Sequence, residues 1–449
     1  MTHSAIDFQK SQPISHRDVF AIAIPMTLAY LSTPLLGVVD TVVIGRLGDA
    51  SLIGGIALGG VIFDIIFTIF NFLRTGTTGL TAQALGANNK TEINATFLRA
   101  LALGVGFGLL VLCLYPFLLR FGLIAMGGSD NVQSATSRYF EIRVFSAPLL
   151  LVNYVILGWF IGLGRAKTAL LLQLILNGLN IILSVWFVYG LEWSVEGVAF
   201  ATVLSECVAC VFGIFLVLRI APKKEWPDLK TIFDRERFSR MLGVNRDIMI
   251  RSFCLIFAYA FFANRSAAQG DVILAANVIL EKLLMIGAHF LDGLATAAEQ
   301  LAGKAMGERS KRHLLRSHKL TFLWSFIMAS IVSGIYLTVG PMLLDFMTTT
   351  PEIRDVGRSY ILWAALSPLF GFLAFQMDGV FIGTTWTRDM RNMMLLSVLV
   401  YVGLYFAIEP ILGNHGLWLA LMVLLGARGL ALLFLFKHRV HTLFDKTPV

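Results

Sequence analysis

The sequence predicts an all-α polytopic membrane protein, with about twelve transmembrane helices in two pseudo-symmetric six-helix lobes. Three observations predict it. The 449 residues are 57% hydrophobic and only 14% charged, where a soluble chain carries about 25% charged residues. The apolar residues fall into about twelve stretches, each near the ~20 residues needed to cross a bilayer. The two halves also repeat motifs at a constant offset.

Taken in order, the first-half spans read as 19–44, 52–76, 96–119, 138–164, 167–190 and 197–220. The second half reads as 247–267, 272–300, 316–340, 356–382, 391–411 and 415–437. Residues 1–220 form an N-lobe, 221–246 a linker, and 247–449 a C-lobe. The linker is the longest polar stretch. Residues Ile232 to Leu242 within it read either as a short amphipathic helix at the headgroups or as a solvated connector. Gly158, Phe160 and Gly162 recur as Gly379, Phe381 and Gly383. The shift from Gly158 to Gly379 also carries Gly86 onto Gly307 and Tyr139 onto Tyr360. Because six spans per half is an even number, the repeats share one orientation, related by an axis along the membrane normal. Two such lobes suit alternating access, which favours a transporter over a receptor, channel or membrane enzyme.

The formal net charge of +8 does not point to nucleic acid. With the spans alternating as above, 25 of the 36 Lys and Arg residues fall on one side. Only Arg46, Arg120, Arg138, Arg265, Arg354 and Arg358 fall on the other, and Arg74, Arg143, Arg251, Lys282 and Arg428 lie within spans. This bias predicts a multi-pass protein of the bacterial inner membrane with both termini cytoplasmic and anionic headgroups as its neighbours. The polar N-terminal stretch has no apolar core or small-residue cleavage site, so it does not read as a cleaved signal peptide. Cys113, Cys207, Cys210 and Cys254 lie in apolar runs. The Cys207/Cys210 pair has no second pair or nearby histidine, so no metal site is expected.

The residues that carry chemistry are charges and amides inside the spans. Asp40 ends a first span broken by Pro25, Pro34 and Gly37, with no basic residue in the two turns before it. An acid at membrane depth costs about 2.5–3.5 kcal/mol on insertion scales, and a proline removes a helix hydrogen bond and kinks the chain. The pair predicts a proton or cation site on a helix able to bend. Asn177, Asn180 and Ser184 occupy one face of the fifth span, and Thr202 falls early in the sixth. Their amides and hydroxyls either surround Asp40 or act as interhelical glue. Further polar candidates for a cavity are Asn153, Asp64, Asp292 and Asp378. Asp292 and Glu299 are two helical turns apart and so share a helix face, which offers a second site. Arg74 reads as lying near the cytoplasmic interface. Glu141 with Arg143, and Arg251, read as members of structural ion pairs. No Walker A, HExxH, GxSxG or haem-attachment motif is present. The expectation is therefore a non-enzyme without a cofactor, driven by an H⁺ or Na⁺ gradient.

PLLGVVDTVVIGRLG in the first span, TGLTAQALGA after the second and NRDIMIRS at the seventh resemble multidrug and toxic compound extrusion (MATE) transporters. So do MDGVFIG with TRDMRN around the tenth span and LGNHGLWLAL entering the twelfth. The resemblance is strongest to the DNA-damage-inducible (DinF) branch. It implies a V-shaped pair of lobes exporting organic cations or amphipathic compounds against H⁺ or Na⁺. It also implies an N-lobe ion site of a first-span acid, an Asn and an Asp four apart on the fifth span, and a sixth-span Thr. Those positions here are Asp40, Asn180, Ser184 and Thr202. Ser184 departs from the pattern, and losing one negative oxygen weakens a Na⁺ site more than a protonation site. The lean is to H⁺. Two fused lobes suit a working monomer with small organic substrates. The alternative is a flippase for a lipid-linked precursor, against which the few and scattered in-span basic residues count.

Overall fold

The computed structural model describes residues 13–45, 49–221 and 225–444. Lys10, Arg46, Lys223, Lys224 and Lys446, all counted in the charge bias, lie outside the described residues, as does most of the polar N-terminal stretch. Twelve helices among the described residues are long and apolar enough to cross a membrane. They are built from α1 (His16–Gly45), α2 (Ala50–Ile69), α3 (Phe72–Gly86), α4 (Lys90–Met126), α5 (Asp130–Arg143), α6 (Ala147–Gly162), α7 (Ala166–Val185) and α8 (Val195–Ile220). After the short α9 (Leu229–Ile232) follow α10 (Arg235–Ala267), α11 (Asp271–Gly307), α12 (Lys311–Met347), α13 (Pro351–Gly383), α14 (Thr387–Leu412) and α15 (Asn414–Phe444). In a bilayer every backbone polar group must be satisfied within the segment, and the helix does this residue by residue.

The described residues divide into two compact units, one within 28–245 and one of 246–444 together with 13–27. Residues 13–27 therefore fall outside the unit that holds the rest of the described part of an N-lobe of 1–220. The part of α1 up to Thr27 belongs with the second unit, where Phe20 packs edge-on against Trp324 with ring centroids 4.4 Å apart. The helix itself is continuous through Pro25 and Pro34.

The internal repeat is written into the helix ends. The span Ala50–Gly86 recurs as Asp271–Gly307, α4 as α12, and Asp130–Gly162 as α13. Both ends of each keep the offset that relates Gly158 to Gly379. The caps follow suit. Asn89 accepts from the Glu92 amide at the start of α4, and Ser310 accepts from the His313 amide at the start of α12. Asn88 and Arg309, again equivalent positions of the repeat, both adopt positive φ in the turn before those caps. Packing repeats too. A Cβ on Gly158 would strike the Arg74 carbonyl, and one on Gly379 would strike the carbonyl of Ala295, the repeat equivalent of Arg74. Backbones approach this closely only where no side chain intervenes. Gly379→Val is therefore expected to destroy the folded state. Gly178→Ala, whose Cβ meets nothing within 4 Å, should be neutral. Fluorescence-detected size exclusion of the two variants checks this: a monodisperse Gly379→Val peak at normal yield would contradict it.

Two local departures from the sequence reading matter for function. The second span runs on to Gly86, broken at Phe70 and Asn71. This places Arg74 well inside the span, where it donates to Tyr30 Oη at 2.6 Å and Asn71 Oδ1 at 3.0 Å, rather than at its end. The linker has no separate amphipathic helix over Ile232 to Leu242. Asp234 caps a helix that begins at Arg235, and no proline stops it before the apolar span. The remaining linker is tied to the first unit, with Arg99 donating to the Thr231 and Ile232 carbonyls at 2.6 and 2.7 Å. Before α2, the exposed Asp49 accepts hydrogen bonds from the Ser51 side chain and amide, which hold its carboxyl below its usual range.

Candidate functional site

In the first unit, α7 and α8 pack side by side, and α1 brings Asp40 to the periodic polar face of α7. Asn180 and Ser184 are one helical turn apart, so they stack on one face; both are fully buried. The Ser184 hydroxyl lies 3.2 Å from Asp40 Oδ1 and 3.2 Å from Asn180 Oδ1. Asn180 Nδ2 donates to Thr202 Oγ1 at 2.8 Å, and the Thr202 hydroxyl donates to the Val198 carbonyl at 3.0 Å. The four residues named from the sequence thus form one connected chain, Asp40–Ser184–Asn180–Thr202. Asp40 makes no ion pair among the described residues.

This chain has a useful asymmetry. A hydroxyl carries one hydrogen and can donate to only one of two acceptors. With Asp40 ionised, Ser184 donates to the carboxylate. With Asp40 protonated, the acid can donate to Ser184 Oγ, and the Ser184 hydrogen turns to Asn180 Oδ1. Either proton count leaves the Asp40–Ser184 contact satisfied, and the Asn180–Thr202 end need not move. The arrangement has no mirror in the second unit. The repeat equivalents of Asp40, Asn180 and Ser184 are Phe261, Tyr401 and Tyr405. Phe261 meets the two tyrosines edge-on, with ring centroids 5.4 and 5.3 Å away. Equivalent positions of the repeat hold a polar chain in one unit and an aromatic cluster in the other.

The remaining candidates stand apart from this chain. Asn177 donates to Ser32 Oγ at 2.8 Å and accepts from Gln173 at 3.2 Å, tying α7 to α1 without touching Asp40. Asn153 donates to the Glu206 carbonyl at 3.0 Å. Asp64 is exposed, within the field of Arg143. Asp292 pairs with His289 at 3.6 Å and is 36% exposed, whereas Glu299 is buried, so the two do not share surroundings. Gly37 faces open space on the side a Cβ would occupy.

Sequence reasoning does not assemble two buried ion clusters. Arg143 pairs with Glu206 at 3.0 Å, and not with Glu141, which is exposed. It also donates to Ser146 Oγ at 2.6 Å and lies 4.1 Å over the Phe63 ring. The irregular turn Val144–Ser146 between α5 and α6 ends α5 at this arginine, and its charge acts across space on Asp40. Glu206 is missed altogether, although a carboxylate in an apolar span is the signal that singles out Asp40. In the second unit Arg251 and Arg428 converge on Asp378, at 2.8 and 3.4 Å. The in-span arginines there are therefore not scattered, because residues far apart in sequence meet on α10, α13 and α15.

The MatE family profile matches residues 25–186 and 248–407, one segment in each half. The chain is 37% identical over 425 residues to DNA damage-inducible protein F of Escherichia coli (strain K12), covering 94% of this chain and 92% of that one. It is 21% identical over 419 residues to multidrug export protein MepA of Staphylococcus aureus (strain MRSA252), covering 93% and 92%. Among solved structures, a MOP superfamily transporter from Pyrococcus furiosus superposes with a TM-score of 0.88 at 20% identity, over the whole of both chains.

Proposed function

Because this chain belongs to the MATE family of multi-pass membrane transporters, we propose that it is an H⁺-coupled antiporter of the bacterial inner membrane. It exports drug-like or amphipathic organic compounds by alternating access, with both termini in the cytoplasm, and it works as a monomer. The observation that carries the coupling is the Asp40–Ser184–Asn180–Thr202 chain. It holds one carboxylate whose proton can come and go while a single hydroxyl reorients. A Na⁺ ion lacking a second carboxylate would have to be held by neutral oxygens that already serve one another, which favours the proton. Asp40 exchanges the proton, Ser184 and Asn180 accommodate it, and Pro25, Pro34 and Gly37 let α1 bend as the charge changes. A proline has no N–H to give to the carbonyl one turn earlier, so bending at these points costs less than in an intact helix. For a neutral substrate the drive is adequate, since one charge moved through 100 mV yields about 2.3 kcal/mol, or nearly fifty-fold accumulation at about 1.4 kcal/mol per decade. A monovalent cation exchanged for one proton moves no net charge and draws on the pH gradient instead.

The test is efflux of an organic cation from proteoliposomes under an imposed pH gradient or an imposed Na⁺ gradient. The pH gradient should suffice without Na⁺; efflux that needs Na⁺ would overturn the choice of ion. The same assay checks the role of Ser184. Ser184→Asp adds the second carboxylate, and is expected to introduce Na⁺ stimulation of at least about tenfold. That size corresponds to one charge-assisted ligand contributing about 1.5 kcal/mol or more. Na⁺-independent efflux by this variant would show that Ser184 does not set ion choice.

A further inference from the structure

We infer that Arg251, Arg428 and Asp378 of the second unit form a recognition site for the anionic group of an amphipathic compound: a carboxylate, sulfonate or phosphate. The inference rests on the export reading for its substrate, but its geometry stands alone. Arg251 Nη1 donates to Asp378 Oδ2 at 2.8 Å, and Arg428 Nη2 lies 3.4 Å from the same oxygen. Both guanidinium groups crowd onto one carboxylate oxygen instead of taking the two-pronged grip that arginine and carboxylate prefer. Among the described residues, Asp378 Oδ1 and the Nε–H groups of both arginines are buried without a hydrogen-bond partner. Arg428, whose side chain is 2% exposed, also donates to the Met394 sulfur at 3.4 Å.

Two buried cations therefore share one anion, which leaves a net positive charge in a poorly hydrated place. Such a charge is costly unless a second anion neutralises it, and each orphaned donor adds to that cost. Among the described residues neither Asp292 nor Glu281 makes an ion pair with Arg251 or Arg428: Asp292 faces the His289 ring at 3.6 Å, and Glu281 lies in the field of its neighbour Lys282. Arg251 and Asp378 are 12% and 10% exposed and Arg428 2%, so an oxyanion would meet the first two before the third.

The helix ends and glycine contacts follow the internal repeat, and this cluster does not. The repeat equivalents of Arg251, Asp378 and Arg428 in the first half are Tyr30, Leu157 and Cys207. The same six-helix scaffold is built in the first unit without these three charges. Asp378 then acts as a resident anion that holds the arginines in place and is displaced when an outside anion binds.

The experiment titrates the full chain in phosphatidylcholine nanodiscs with two dyes, subtracting empty discs. One is 8-anilinonaphthalene-1-sulfonate; the other is N-phenyl-1-naphthylamine, the same rings without the sulfonate. Arg428→Gln and Arg251→Gln should weaken the sulfonate about tenfold or more, with the neutral dye within about twofold. Asp378→Asn should tighten the sulfonate, because it removes the internal competitor. Equal effects on both dyes, or weaker sulfonate binding by Asp378→Asn, would overturn the site. Should Arg428→Gln fail to fold, Asp378→Asn and Arg251→Lys decide; the lysine keeps the charge but loses the fork, and should bind the sulfonate at an intermediate level. Repeating the titration with phosphatidylglycerol separates the sources of the anion. A fall in sulfonate affinity larger in the wild type than in Arg428→Gln assigns the site to a lipid headgroup. An equal fall in both, which the bilayer's surface charge alone produces, assigns it to a soluble organic anion. The titration uses no ion gradient, so its failure leaves coupled export standing, and a failure of coupling at Asp40 leaves this site standing.

Discussion

Arg143→Met is expected to cost the first unit about 3–5 kcal/mol of stability, because it leaves the Glu206 carboxylate buried without its cation. The two side chains are 12% and 2% exposed, so water cannot take over the lost partner. Asn153 fixes the Glu206 backbone, not its carboxylate, and offers no substitute. For a unit of this size the loss corresponds to a fall of about 6–20 °C in Tm. The double variant Arg143→Met with Glu206→Met should recover most of that loss, since a buried ion pair replaced by apolar side chains is often neutral in stability. Thermal unfolding of the singles and the double in one lipid environment checks this. A single variant as stable as the wild type would show that the pair is not a stabilising contact. The pair also bears on coupling, because the Arg143 charge acts on Asp40. The double variant should therefore fold yet show an altered pH dependence of efflux.

Much of this fold is legible in the chain before any coordinates. Span length and composition give the helices, and the constant offset between the halves gives the repeat, which the structure extends to caps and turn conformations. The Asp40 chain is also legible. Asn180 and Ser184 share a face by helical spacing alone, and the family resemblance supplies Asp40 and Thr202 as their neighbours. Legibility ends where one helix chooses another. Periodicity says which residues share a face but not which face meets which. Arg143 at the end of α5 finds Glu206 on α8, with two helices of chain between them. Arg251, Asp378 and Arg428 likewise come from three different helices. The linker misleads for a local reason. A polar stretch running into an apolar span has no signal separating one long helix from two, unless a breaker stands between them. Gly243 alone does not break it.

Asp40→Asn is the second large effect. The amide cannot ionise, so it holds the chain permanently in the state that resembles the protonated acid, and the proton has nowhere to leave from. The isosteric change keeps the Ser184 contact, so the protein should fold and bind substrate as before, with exchange lost. The direct measurement is proton release from proteoliposomes on addition of an organic cation, without Na⁺, comparing wild type with Asp40→Asn at matched protein density. The wild type should release protons, and Asp40→Asn should release no more than protein-free liposomes. Proton release by Asp40→Asn at the wild-type rate would contradict the assignment of Asp40 as the coupling residue.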